Sequence, residues 1–247
     1  MSNAYSVMSA FVNDLGLDYH GERQLAEDVG GDFFDFVPIG NQALVASVGD
    51  VSGTSVSAAI LKSGVQSLLR SLTTDWRGNI STIVQELNRA VYGISPDVFF
   101  PTLFYTRIDP LLRRLEYVSA GHETAFLVRK DARRLLRLER TGTVLGLTNH
   151  TVYRHRTLTI EPGDVLIAFT DRIAEGVDAC GYKCYEASIL DAVRRHPGAG
   201  ASEIVGLLVE AVARFTSEST VIAVRYTGEA AKAWLEASIE ETMFAAA

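Results

Sequence analysis

Three aspartates lie beside small residues at widely separated points of the chain: Asp32 in Gly30-Gly31-Asp32, Asp50 in Asp50-Val51-Ser52-Gly53, and Asp171 in Thr170-Asp171. Asp50 and Asp171 follow apolar runs, Ala43–Val48 and Val165–Phe169. An acid at the tip of an apolar strand is poorly solvated unless something positive stands near it. Acids gathered from such tips form an oxygen-rich site suited to a hard divalent cation, which takes carboxylate and carbonyl ligands and keeps several waters. A catalytic metal centre is the first expectation. The plainer account makes Asp32 a turn residue and Ser52, Thr54 and Ser55 helix caps. It explains the hydroxyls but not the acids at the strand ends.

The elements that must carry these acids are legible from patterning. Leu17–Glu27 reads as a strand, Phe33–Val37 as a second, and Ala43–Val48 as a third, the last two joined as a hairpin through Pro38-Ile39-Gly40-Asn41. The nearly unbroken apolar third run suits a strand covered on both faces. Ser55–Leu72 reads as a helix with Val56, Ile60, Val65, Leu68, Leu69 and Leu72 near a helical period. Asn79 is placed to cap a second helix over Ile80–Tyr92. Short strands follow at Thr102–Ile108, Arg113–Ser119, Thr124–Arg129, Arg134–Leu138, Val152–Ile160 and Val165–Phe169. Helices Ala187–Arg195 and Ser202–Phe215 (Ser202 as cap), a strand Val221–Tyr226 and a closing helix Glu229–Met243 with Trp234, Leu235 and Ile239 as its apolar stripe complete the chain. Strand runs with interspersed helix pairs predict an α+β fold, two antiparallel sheets with helices on their outer faces.

The 247 residues fit one large domain. A net charge of −7 argues against non-specific nucleic-acid binding, which needs a basic footprint. No apolar run reaches the roughly 18 residues of a membrane span, and no leader marks the chain for secretion. Cys180 and Cys184 have three residues between them, one more than the usual redox pair. They read as reduced thiols in a cytoplasmic protein.

Taken in order, Gly-Gly-Asp-Phe-Phe-Asp-Phe (30–36), Asp-Val-Ser-Gly (50–53), Thr-Leu-Phe-Tyr (102–105), Ser-Ala-Gly-His (119–122), Leu-Gly-Leu (145–147), Glu-Pro-Gly-Asp (161–164) and Thr-Asp (170–171) resemble the stage-II-sporulation-E and RsbU branch of the bacterial metal-dependent protein phosphatases, relatives of protein phosphatase 2C. The resemblance runs from about Asp18 to Tyr226. It implies a four-layer α-β-β-α sandwich forming one domain over 1–247, with Mn²⁺ or Mg²⁺ ions, two in number, at one end. By this resemblance Asp50 matches the carboxylate bridging both ions, Asp32 a ligand of one, Asp171 a ligand of the other, and Val51 offers its carbonyl. The implied reaction is hydrolysis of a phosphoserine or phosphothreonine ester by a water bridging ions about 4 Å apart. The implied substrate is a phosphorylated STAS-domain anti-anti-sigma protein of a partner-switching pathway. His122, in a recurrent turn of the family, is expected to be structural or to stand behind the ligands. The closing helix, beyond the family core, is a candidate for packing on the sandwich or for a homodimer contact.

Two positions depart from the family pattern. Before the last strand, where an Asp-Asp or Asp-Asn pair is usual, the chain reads Glu218-Ser219, which puts Glu218 at the fourth carboxylate. After Thr170-Asp171, where Gly is favoured, stands Arg172. Its guanidinium has three available roles: a bidentate phosphate clamp, a partner for Glu218, or a solvent-facing loop residue. Two readings follow, a working metal-dependent serine/threonine phosphatase and a pseudophosphatase that binds a phosphoprotein without turnover.

Overall fold

The computed structural model describes residues 4–12, 15–25, 30–52, 56–75, 78–94, 99–131, 133–170, 182–212 and 219–228. Asp171, Arg172, Cys180, Glu218 and the closing helix predicted over Glu229–Met243 lie outside the described residues.

Eleven strands among these residues form two antiparallel sheets. In chain order they are β1 (Ala4–Val12), β2 (Leu17–Leu25), β3 (Phe33–Ile39), β4 (Ala43–Val51), β5 (Pro101–Asp109), β6 (Arg114–Ala120), β7 (Ala125–Val128), β8 (Leu135–Leu138), β9 (Arg156–Thr159), β10 (Val165–Phe169) and β11 (Ser219–Tyr226). The six-stranded sheet runs β1-β2-β11-β10-β7-β8 and the five-stranded sheet β3-β4-β5-β6-β9. Helices α1 (Val56–Thr74) and α2 (Ile80–Ile94) cover the five-stranded sheet, and α3 (Tyr182–Arg195) and α4 (Ala201–Val212) cover the other. The expected α-β-β-α sandwich is the observed architecture.

The apolar strands feed two cores at once. Side chains alternate across a strand, and here both faces are covered. In β4, Leu44, Ala46 and Val48 point between the sheets, while Val45 and Val51 pack with Leu61, Val65 and Leu69 of α1. In β10, Leu166 and Ala168 face the other sheet, while Val165, Ile167 and Phe169 meet Ile189 of α3 and Ile204, Val205 and Leu208 of α4. This parity decides the site. Asp50, Thr102, Thr170 and Thr220 share the parity of the inter-sheet residues Val48, Phe104, Ala168 and Ile222.

Four local expectations need correction. The segment Ala4–Val12, without a predicted element, pairs with β2 over nine residues as an edge strand. The strand expected over Val152–Ile160 is confined to Arg156–Thr159. Its first part leaves the sheet and runs beside α2, where the Tyr153 hydroxyl donates to Asn88 Oδ1 at 3.0 Å. On α1 the buried stripe is Ala58, Leu61, Val65, Leu69 and Thr73, and Val56 and Ile60 are exposed. Ser202 does not cap α4: that helix begins one residue earlier, and the Asp18 carboxylate on β2 accepts from Ala201 N at 2.7 Å. The predicted Asn79 cap is present, with Ser81 N donating to Asn79 Oδ1 at 2.7 Å.

Candidate metal centre

Asp32 enters the seam between the sheets just ahead of β3 and is 1% exposed. A carboxylate so deeply buried needs partners. It has them in the opposite sheet: Thr170 Oγ1 donates to Asp32 Oδ2 at 2.6 Å and Thr220 Oγ1 donates to the same oxygen at 2.8 Å. The two threonines are held together by Thr170 N donating to Thr220 O at 3.1 Å and Thr220 N donating to Thr170 Oγ1 at 3.2 Å. Hydroxyls at the ends of β10 and β11 thus fix one oxygen of Asp32.

The loop carrying Asp32 is held from three sides. Arg23 Nη1 of β2 donates to Asp32 O at 2.8 Å, Lys62 Nζ of α1 donates to Gly30 O at 2.7 Å, and Val51 N donates to Gly31 O at 3.3 Å. Gly31 is required by contact. A Cβ there would lie 2.0 Å from Val51 O and 2.5 Å from Asp50 Oδ1. Only glycine lets the backbone approach so closely, and the result is that the Asp50 carboxylate and the Val51 carbonyl converge on one point beside the Asp32 loop. Asp50 itself is half-buried at the end of β4, opposite Thr102 of β5. Hard oxygen donors from a carboxylate and a carbonyl, with a second carboxylate one residue beyond their contact point, are the donor types that Mg²⁺ or Mn²⁺ takes. The residues present fit such an ion.

Of the acids singled out in the sequence, the structure therefore brings Asp32, Asp50 and the Val51 carbonyl to one end of the sandwich. Asp171 follows directly on Thr170, and Glu218 directly precedes Ser219 of β11, but both side chains lie outside the described residues. The second acid of the first motif, Asp35, serves the fold instead, forming an ion pair with Arg70 that fastens α1 to β3. Sequence reasoning overlooked Thr220, Arg23 and Lys62. Thr220 carried a usable signal, since a hydroxyl with the inter-sheet parity of Ile222 and Val224 must find a buried partner.

His122 is buried behind this end. Its Nε2 lies 3.0 Å from Phe169 O and its Nδ1 2.8 Å from Thr102 Oγ1. A carbonyl only accepts, so Nε2 carries the proton and Nδ1 accepts from the Thr102 hydroxyl. Burial lowers its pKa to about 4, partly offset by the bond to Phe169 O and reinforced by the nearby Arg140 charge. The folded state thus holds a neutral ring that the unfolded chain protonates near pH 6.5. Stability from this site is fully present above about pH 6.5 and is lost as pH falls toward 4, a loss on the order of 3 kcal/mol. Urea denaturation of the wild type and of His122→Gln across pH 4 to 7 should show a shallower acid-side loss in the variant. Parallel curves would assign the acid sensitivity elsewhere.

A protein-family model described as Stage II sporulation protein E (SpoIIE) matches residues 40–225. Among curated proteins, the phosphoserine phosphatase RsbU of Bacillus subtilis is 28% identical over 150 residues, which cover 61% of this chain and 44% of that protein. The chain spans less than half the length of the curated relatives named RsbU and IcfG. Among solved structures, the RsbU and RsbW domains of a Mycobacterium tuberculosis protein superpose with a TM-score of 0.72 at 24% identity, covering 86% of this chain and 60% of that one. The catalytic domain of the serine/threonine protein phosphatase PstP, solved with 2 manganese ions, gives 0.64 at 17% identity, covering 85% and 97%. The sandwich described above is the fold of these phosphatase domains.

Proposed function

Because the chain belongs to the SpoIIE family, we propose that it hydrolyses phosphoserine or phosphothreonine on a regulatory protein, using two Mn²⁺ or Mg²⁺ ions. Asp50 would bridge the ions, Asp32 and the Val51 carbonyl would serve one side, and Asp171 with Glu218 the other. The observation that carries this reading is the contact at Gly31, where the absence of a side chain lets Asp50 Oδ1 and Val51 O meet beside the Asp32 loop.

Bound divalent ions supply a lowered water pKa and neutralise charge on a transferring phosphoryl group. The chain's own contribution is placement. Thr170 and Thr220 occupy Asp32 Oδ2, so that carboxylate is held in one orientation. Val51 N donates to Gly31 O at 3.3 Å, which ties the strand end at Asp50 to the Asp32 loop and would hold their oxygens in place for an ion.

The regulatory substrate is proposed to be a phosphorylated STAS-domain anti-anti-sigma protein. The curated relative RsbU is called a phosphoserine phosphatase, and the Mycobacterium tuberculosis neighbour joins an RsbU domain to an RsbW domain in one protein, an arrangement that fits partner switching. The test is release of inorganic phosphate from a phosphoserine STAS protein with Mn²⁺, then Mg²⁺, in the buffer. Metal-dependent release is expected. No release with either ion from a protein that is folded by circular dichroism would overturn the enzymatic reading in favour of binding without turnover.

A further inference from the structure

The contacts of His122 point to a role beyond filling space. We infer that Thr102, His122 and the Phe169 carbonyl form a clip between the two sheets, and that His122 and Thr102 are positioning residues setting how far the Asp50 end of β4 stands from the end of β10. The inference rests on the metal-site reading given above.

Thr102 is the residue of β5 that pairs with Asp50 across the β4–β5 ladder. Phe169 is the last residue of β10, two positions before Asp171. One imidazole touches both, at 2.8 and 3.0 Å, and each of its nitrogens is used. The five-stranded sheet at its Asp50 end is therefore fastened to the end of β10 in the six-stranded sheet through a rigid ring.

The ring itself has little freedom. It hangs from the turn after β6, where Gly121 has φ +65 and a Cβ would come within 2.7 Å of Val144 N. Gly121 N donates to Gly142 O at 2.9 Å, and Arg140 Nε donates to His122 O at 3.0 Å. Few residues suit such a position. A leucine or phenylalanine would fill the space at lower desolvation cost, but would leave the Thr102 hydroxyl and the Phe169 carbonyl without these bonds. A buried neutral histidine here is accounted for by the two groups it joins, one on the residue paired with Asp50 and the other at the end of β10. Groups bonded directly to metal ligands tune affinity by about tenfold to a hundredfold, and this clip acts one step further back, through the strands that carry the acids.

The experiment is calorimetric titration of Mn²⁺ into the full chain as wild type, His122→Phe, His122→Gln and Thr102→Val, with thermal melting of each metal-free protein. His122→Phe keeps a ring and loses both bonds. Gln can still donate toward Phe169 O. The expected result is Mn²⁺ affinity about tenfold weaker in His122→Phe, which loses both bonds, and a smaller loss in Thr102→Val and His122→Gln, each of which keeps the bond to Phe169 O. If His122→Phe does not fold, Thr102→Val against wild type decides. Wild-type affinity in folded His122→Phe or in Thr102→Val, or a His122→Gln no better than His122→Phe, overturns the clip while leaving the metal site standing. A wild-type protein that takes up no Mn²⁺ overturns both.

Discussion

Asp50→Asn should lower kcat/KM on a phosphoserine substrate by on the order of 10³-fold or more, equivalent to about 4 kcal/mol of transition-state stabilisation. The substitution removes a charge and keeps the shape. Asp50 stands half-buried where its Oδ1 and the Val51 carbonyl converge on Gly31. A neutral amide there cannot neutralise cations or hold them between two sites, and its NH₂ face presents donors where acceptors are needed. The melting temperature of the metal-free protein should move by only a few degrees, corresponding to about 1 kcal/mol in a chain of this size. Mn²⁺ should stabilise the wild type and do so far less in the variant, since an ion stabilises only the state that binds it. Phosphate-release kinetics and melting with and without Mn²⁺ check both halves. Activity within tenfold of wild type would contradict the role given to Asp50.

Gly31→Ala is the second large effect, and it works through space. The added methyl would sit 2.0 Å from a backbone carbonyl and 2.5 Å from the Asp50 carboxylate. A backbone atom cannot swing aside as a long side chain does, so either the Gly30–Asp32 loop or the end of β4 must move. Overpacking of this kind costs about 1–3 kcal/mol, and a displacement near 1 Å at a reacting centre costs about 10²-fold in rate. The two losses should appear together: a lower urea midpoint with unchanged slope, and turnover reduced about a hundredfold in molecules that remain folded. Full turnover in Gly31→Ala would show that the close approach is not needed for the chemistry.

Asp32 and Asp50, which the structure brings to one end of the sandwich, are legible in the chain, while Asp171 and Glu218 lie outside the described residues. The acids announced themselves because Asp50 follows an apolar run with no local reason to carry charge. The sandwich was readable because the runs in β4 and β10 are apolar at odd and even positions alike, which requires cover on both faces. What escaped was set by partners distant in sequence. Asp18 replaces Ser202 as the cap of α4 from 183 residues away, and no local pattern encodes that. Val56 and Ile60 fit the helical period of α1 but fall outside the face turned to β3 and β4, because periodicity gives the spacing of a stripe and not its edges. The alternation through Val152 and Tyr153 suits a strand, yet this stretch lies outside β9 and the Tyr153 hydroxyl donates to Asn88 of α2. Tertiary hydrogen bonds overrode local preference in each of these strand and cap cases.

The two hydroxyl bonds to Asp32 span 138 and 188 positions of the chain. Synthesis proceeds at about 5–20 residues per second, so Thr220 follows Asp32 out of the ribosome by on the order of ten to forty seconds. During that interval the carboxylate has no Thr220 to meet. Contacts of such separation are also slow to form afterwards, because the loop must close before it is rewarded. A nascent or half-folded chain accordingly carries the acids without the arrangement that orients them. The orientation of Asp32 therefore reports that β11 has docked, and a chain released before β11 would carry this acid without that orientation.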